Sequence, residues 1–191
     1  MEIYLATKNK GKILAARHAF ASGNMKLSIV EKDYPEIQAD SSLEIARHAA
    51  IQIADDLGKP TIREDHSLYL SGLGKIPGPY MNYFDRRLSE SDILKLYKNI
   101  PDRGGYFEVA TVLVFPKGKI FESVFKVHFT LSFEAKGNLQ TGWNRIIVLK
   151  GETRTLAEYP ETERVPVWNR GYLNIIKQLL DYLPKHPKQS S

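Results

Sequence analysis

The chain has 191 residues, 42% hydrophobic and 26% charged, enough for one sizeable core or for two lobes around a cleft. It has no cysteine, which excludes disulfides and cysteine-ligated zinc and fits a reducing compartment; no apolar run approaches the roughly 18 residues of a membrane span, and the opening residues lack the basic start of a secretory signal, so a cytoplasmic location away from membranes is expected. The formal charge of +5 favours anionic ligands, nucleotides included, but the basic residues are scattered, so no nucleic-acid partner is expected.

Residues 2–6 are a short apolar run suited to a buried strand. Thr7-Lys8-Asn9-Lys10-Gly11-Lys12 follows, and residues 13–20 read as a helix. Strand, small polar loop and helix start make an anion site: free amides and the helix dipole face the ligand, and Lys12 adds a point charge. The spacing is not that of a Walker loop. Residues 27–30 read as a second strand, and Tyr34-Pro35-Glu36-Ile37-Gln38 as an extended segment with one isolated acid. Ser42 is placed to cap a helix running to about Leu57, with Leu43, Ala46, Ala50, Ile53 and Ala54 on its apolar face.

The short strand Pro60-Thr61-Ile62 leads to two acids, Glu64 and Asp65, then to His66, Ser67 and the turn Ile76-Pro77-Gly78-Pro79-Tyr80. Acids at a strand end beside a turn suit Mg2+, which takes one or two carboxylates plus substrate phosphates. Residues 90–100 read as an amphipathic helix with Ile93, Leu94 and Tyr97 inward. Residues 106–115, 119–127 and 127–135 alternate and are rich in β-branched and aromatic residues, an antiparallel extension of two or three strands turning at Pro116-Lys117-Gly118-Lys119. Residues 146–149 form an apolar strand, 155–159 open a last helical region, and Arg170-Gly171-Tyr172 leads into a helix ending near Leu183. Residues 1–183 are thus read as one domain of two lobes with a central cleft, and 184–191 as a flexible basic tail.

Several of these fragments resemble, in order and spacing, the motifs of the Ham1 or inosine triphosphate pyrophosphatase family. They are Thr7-Lys8-Asn9-Lys10-Gly11-Lys12, Pro35-Glu36-Ile37-Gln38, Glu64-Asp65, Pro77-Gly78-Pro79-Tyr80, Thr155-Leu156-Ala157-Glu158-Tyr159 and Arg170. The resemblance runs from about Ile3 to Leu183. It implies an α/β, two-lobed fold with a long mixed β-sheet flanked by helices and an antiparallel extension. It also implies a homodimer, with Tyr80 and Phe84 at its interface, and Mg2+-dependent (or Mn2+-dependent) hydrolysis of a nucleoside triphosphate to monophosphate and pyrophosphate. By position, Thr7, Asn9 and Lys12 would hold phosphates, Glu36 and Asp65 would arrange the metal, and Asp65 with Lys12 would carry catalysis. His66 and Ser67, next to Asp65, are added to the substrate contacts.

The sequence also departs from the family pattern. Asp-Ser-Gly becomes Asp65-His66-Ser67, a phosphate-facing lysine falls on Ile51, and a glutamate of the first helix falls near Ala15. The base-pocket motif survives only as Gly142-Trp143-Asn144, the lysine before the Ser-His-Arg motif becomes Arg164, and that motif becomes Trp168-Asn169-Arg170. Trp143, Asn144, Arg164, Trp168, Asn169 and Arg170 are therefore the expected base-side contacts, with altered base or phosphate specificity. Two alternatives stand beside this: a related hydrolase of a nucleoside mono- or diphosphate or modified nucleotide, and a non-catalytic nucleotide-binding homologue. His18, His48 and His128 read as structural or surface histidines, and Arg86-Arg87 as a solvated helix face.

Overall fold

The computed structural model describes residues 1–21, 25–32, 34–138 and 142–183, so the expected basic tail lies outside the described residues. Seven strands form one mixed sheet in the order β2-β1-β3-β5-β6-β7, with β4 paired to β3. β1 (Glu2–Ala6) runs parallel to β2 (Lys26–Val30) and to β3 (Thr61–Leu70). β5 (Gly104–Val114), β6 (Ile120–Leu131) and β7 (Ile147–Leu149) continue the sheet antiparallel. β4 is the two-residue strand Pro77–Gly78.

Two helical layers flank the sheet. On one face α2 (Ser42–Leu57) lays Ala46, Ala50 and Ala54 on Ala110, Val112 and Val114 of β5. On the other, α1 (Lys10–Phe20), α5 (Glu161–Trp168) and α6 (Arg170–Tyr182) close over a core that holds Ile62, Leu113, Phe121, Tyr172 and Ile175. α6 begins close to the sheet because Gly171 has no side chain: a Cβ there would lie 2.0 Å from Thr111 Oγ1. α3 (Met81–Asp85) and α4 (Glu90–Leu96) cover the far half of the sheet, whose core is built from Leu68, Leu70, Ile93, Phe129 and Trp143.

The structure corrects several expected boundaries. Glu64 and Asp65 do not end a strand; they sit inside the ten-residue β3. The expected segments 119–127 and 127–135 are replaced by one strand, β6, which runs unbroken through Val127 and ends at Leu131. Ser41, not Ser42, caps α2, its hydroxyl accepting from the Glu44 amide at 3.2 Å. The helix expected over 90–100 ends as α4 at Leu96 and finishes in a 3-10 turn, Tyr97–Asn99.

One feature of the topology positions the site. β1 accompanies β3 only through Ile62, and β4 joins the same edge only at Leu68. Between them β3 is paired on its other edge alone, to β5. This leaves a notch in the sheet at residues 63–67, where the end of β1 and the N-terminus of α1 converge.

Candidate active site

The notch is filled from both faces by the alternation of β3. Successive strand side chains point to opposite sides, so Glu64 and His66 face α1, α5 and α6, while Asp65 and Ser67 face α2. The hydrogen bonds follow this division: His66 Nε2 lies 2.8 Å from Glu64 Oε1, and Ser67 is bonded to Ser42 of α2.

Asn9 caps α1, its side-chain oxygen accepting from the Lys12 amide at 3.1 Å. The capped turn fixes the direction of Lys12, whose ammonium donates to the Glu64 carbonyl at 2.8 Å, inside the notch. A lysine has three donors, so this contact leaves two for a ligand. Next to it stands Asp65, whose Oδ2 is covered and has no hydrogen-bond partner among the described residues. Burial raises the Asp65 carboxyl above its ordinary value; Lys12 opposes that shift, as do His66 and Arg63, and Glu36 adds to it. Glu36 reaches the same cleft from the loop after β2 and pairs with Arg63 Nη2 at 2.5 Å. Arg63 also donates to the Ala6 carbonyl, which ties the loop carrying Glu36 to the end of β1.

Two clefts meet at His66. One, of about 560 Å³, holds Asn9, Lys12, Asn144, Arg164 and Trp168. The other, of about 270 Å³, holds Glu36 and Asp65 with Tyr80 and Tyr83 at its mouth. Trp168 leans on His66 with ring centres 5.4 Å apart and is braced edge-on by Phe107 at 5.2 Å. Arg164 Nε is buried and unbonded among the described residues. A larger cavity of about 850 Å³ lies elsewhere, by Lys98, Arg103 and Phe133, and holds none of the candidate site residues.

Of the sequence-predicted contacts, Asn9, Lys12, Glu36, Asp65, His66, Asn144, Arg164 and Trp168 line these clefts. Thr7 supports the loop from behind, its hydroxyl accepting from the Asn9 amide at 3.2 Å. Four expectations are corrected. Ser67 is wholly buried against Ser42, because strand alternation turns it from the cleft. Trp143 is 2% exposed and donates its indole N–H to the Leu88 carbonyl at 3.0 Å, a core residue. Asn169 is buried between α5 and α6 and pairs with His18 Nδ1 at 2.9 Å. Arg170 is exposed and lines neither cleft. Ile51, expected to have replaced a phosphate lysine, is 37% exposed and also lines neither. Sequence reasoning left Phe107, Glu161 and the side chain of Glu64 out of the site; for Glu64 the two-residue spacing to His66 on a strand is the signal that finds it.

A pair of carboxylates with a covered, unbonded oxygen suits a hard cation that takes its other ligands from water and phosphate. Among the described residues no group of three or more His, Cys, Asp or Glu is placed to hold a metal ion.

The fold and cleft thus define an α/β protein with a mixed sheet, notched where a helix N-terminus, a lysine and two acids meet. Residues 3–172 match the model of the Ham1 family, and the chain belongs to that family. It is 31% identical over 170 residues, 89% of this chain and 90% of the other, to the dITP/XTP pyrophosphatase of Methanopyrus kandleri. It is 33% identical over 165 residues, 86% and 85% of the two chains, to the dITP/XTP pyrophosphatase of Saccharolobus solfataricus. The Ham1 protein of Staphylococcus aureus shares its fold, with a TM-score of 0.77 at 20% identity over 97% of this chain and all of that one.

Proposed function

We propose that this protein is a metal-dependent nucleoside-triphosphate pyrophosphohydrolase with a base preference of its own, cleaving a triphosphate to the monophosphate and pyrophosphate. The observation that carries the reading is the meeting, in a Ham1-family chain, of Lys12, Glu36 and the unbonded oxygen of Asp65 at one notch. The relatives' names as dITP/XTP pyrophosphatases support the reaction class.

In this reading the free amides at the start of α1 and the Lys12 ammonium hold the phosphate chain. Glu36 and Asp65 would hold Mg2+ or Mn2+, which when bound neutralises phosphate charge. Asp65 orients a water molecule and accepts its proton as the water oxygen bonds to phosphorus. The bridge between the α- and β-phosphates breaks, and pyrophosphate leaves. Arg63 keeps Glu36 in place, and Lys12 stands beside the developing charge. Trp168, Asn144 and Arg164 form the base wall. An amide at 144 can both donate and accept, so it suits a different base edge from a carboxylate. The exposed Tyr80 and Tyr83 at the mouth of the acid cleft suit burial against a second copy, and a homodimer belongs to the proposal.

A panel of ribo- and deoxyribonucleoside triphosphates with Mg2+, read by product chromatography, tests the reading. Monophosphate and pyrophosphate in equal amounts are expected from at least one nucleotide. Orthophosphate or free base as the product, or no turnover on the whole panel, would refute it.

A further inference from the structure

We propose that His66 reads the sugar of the nucleotide, accepting a hydrogen bond from a ribose hydroxyl, and that buried Glu64 is the positioning residue that sets its ring for this. The inference rests on the pyrophosphohydrolase reading for the class of ligand alone.

Place is the first argument. His66 lines both clefts: on one side stand Trp168, Asn144 and Arg164 together with Asn9 and Lys12, on the other Glu36 and Asp65. In a nucleotide the sugar joins the base to the phosphates. A ligand with its base against Trp168 and its phosphates toward Lys12 and Asp65 carries its sugar past His66.

Hydrogen-bond polarity is the second. The Glu64 side chain is wholly buried, and its Oε1 lies 2.8 Å from His66 Nε2. A carboxylate only accepts, so Nε2 carries the hydrogen. In the neutral ring the lone pair then sits on Nδ1, which bonds to no described residue. The His66 side chain is 26% exposed, so the ring is reachable from the cleft. Phosphate oxygens accept and offer Nδ1 nothing, whereas a sugar hydroxyl donates. A sugar hydroxyl, which both donates and accepts, satisfies Nδ1 whether or not that nitrogen carries a hydrogen.

Rigidity is the third. Trp168 lies against the ring at 5.4 Å and is itself braced by Phe107. Behind Glu64 lie Thr111, its register partner on β5, and Tyr172; they enclose its carboxylate, whose Oε2 is buried without a hydrogen-bond partner among the described residues. A side chain held on both sides can discriminate, because a fixed acceptor left unmatched is not satisfied by reorientation.

The test uses the full chain with inosine triphosphate and its 2′-deoxy and 3′-deoxy forms. For the wild type, kcat/KM is expected to fall about tenfold for at least one deoxy form, the worth of one hydrogen bond. In His66→Ala the ratio should come within about twofold of unity. His66→Gln, whose carbonyl can still accept, should keep an intermediate ratio, and Glu64→Ala should shrink it. A wild type indifferent to both hydroxyls overturns the inference. So does an His66→Ala enzyme with the ratio unchanged, or a uniform fall on all three substrates, which marks a purely structural role. If no triphosphate is hydrolysed, the pyrophosphohydrolase reading fails instead. The sugar inference is then decided by calorimetric binding of inosine 5′-monophosphate and its two deoxy forms, with the same ratios expected.

Discussion

Asp65 and Ser67 are two residues apart on one strand face, yet only Asp65 keeps a side-chain oxygen for chemistry. Ser67 spends its hydroxyl on Ser42, whereas Asp65 Oδ2 is covered and unbonded. The same contrast separates Trp168, which lines the cleft, from Trp143, which is sealed in the core. Truncating Trp143→Ala should therefore cost stability, about 3–5 kcal/mol by denaturant unfolding, and leave the folded enzyme's product pattern unchanged. A loss below about 1 kcal/mol would show that Trp143 is not a core residue. At this scale the motifs picked out residues that line the clefts, as for Asn9, Lys12, Glu36 and Asp65. The sequence was not legible for Ser67, Trp143, Asn169 and Arg170, because a motif gives a position along the chain and not the face of the strand or helix on which the side chain falls.

Among elements, β3 does the most, since its pairing is continuous on one edge and interrupted on the other. The sequence marked its start through Pro60 and Ile62 but stopped the strand at the acids, which a strand buried on both faces would not hold. They are tolerated because buried Glu64 pairs with His66, and Asp65 lies near the charges of Lys12 and Arg63. α2 was legible almost to the residue from apolar periodicity, and α6 lies within a residue of its expected bounds, whereas β6 was read as two strands although its hairpin pairing with β5 runs unbroken through Val127. The pairing of β1 with β2 is fastened by Glu2, whose carboxyl is lowered from the ordinary 4.5 to about 2 by hydrogen bonds from Lys26, Ser28 and Tyr4. A lowered folded value means that the stabilisation is present above about pH 4.5 and is lost as the pH falls toward 2. Unfolding midpoints measured across that window should fall more steeply for the wild type than for Glu2→Gln; parallel curves would remove Glu2 from the account. For α6, Gly171→Ala would drive a methyl into Thr111 and should destabilise by about 1–3 kcal/mol. An unchanged midpoint would mean that α6 moves away without cost.

The whole molecule is one mixed sheet whose two helical layers leave a cleft where one edge of β3 is unpaired between β1 and β4. No helix among the described residues is long and apolar enough to cross a membrane. A nucleotide that bridges α1, β3 and the loop carrying Glu36 binds only the folded arrangement. It should therefore raise the unfolding temperature, by an amount worth about 2.7 kcal/mol at a ligand concentration one hundred times Kd. Absence of any shift with a nucleotide that is turned over would place binding outside the notch.

The most direct measurement is the dependence of hydrolysis on free Mg2+ for the wild type, Glu36→Gln and Asp65→Asn. Asp65→Asn should lose about 10²–10⁴-fold in rate at every Mg2+ concentration. Glu36→Gln should need about tenfold more Mg2+ for half-maximal rate and recover part of its activity when that is supplied. Wild-type rates and an unshifted Mg2+ midpoint in both variants would contradict the assignment of these two carboxylates to the reaction.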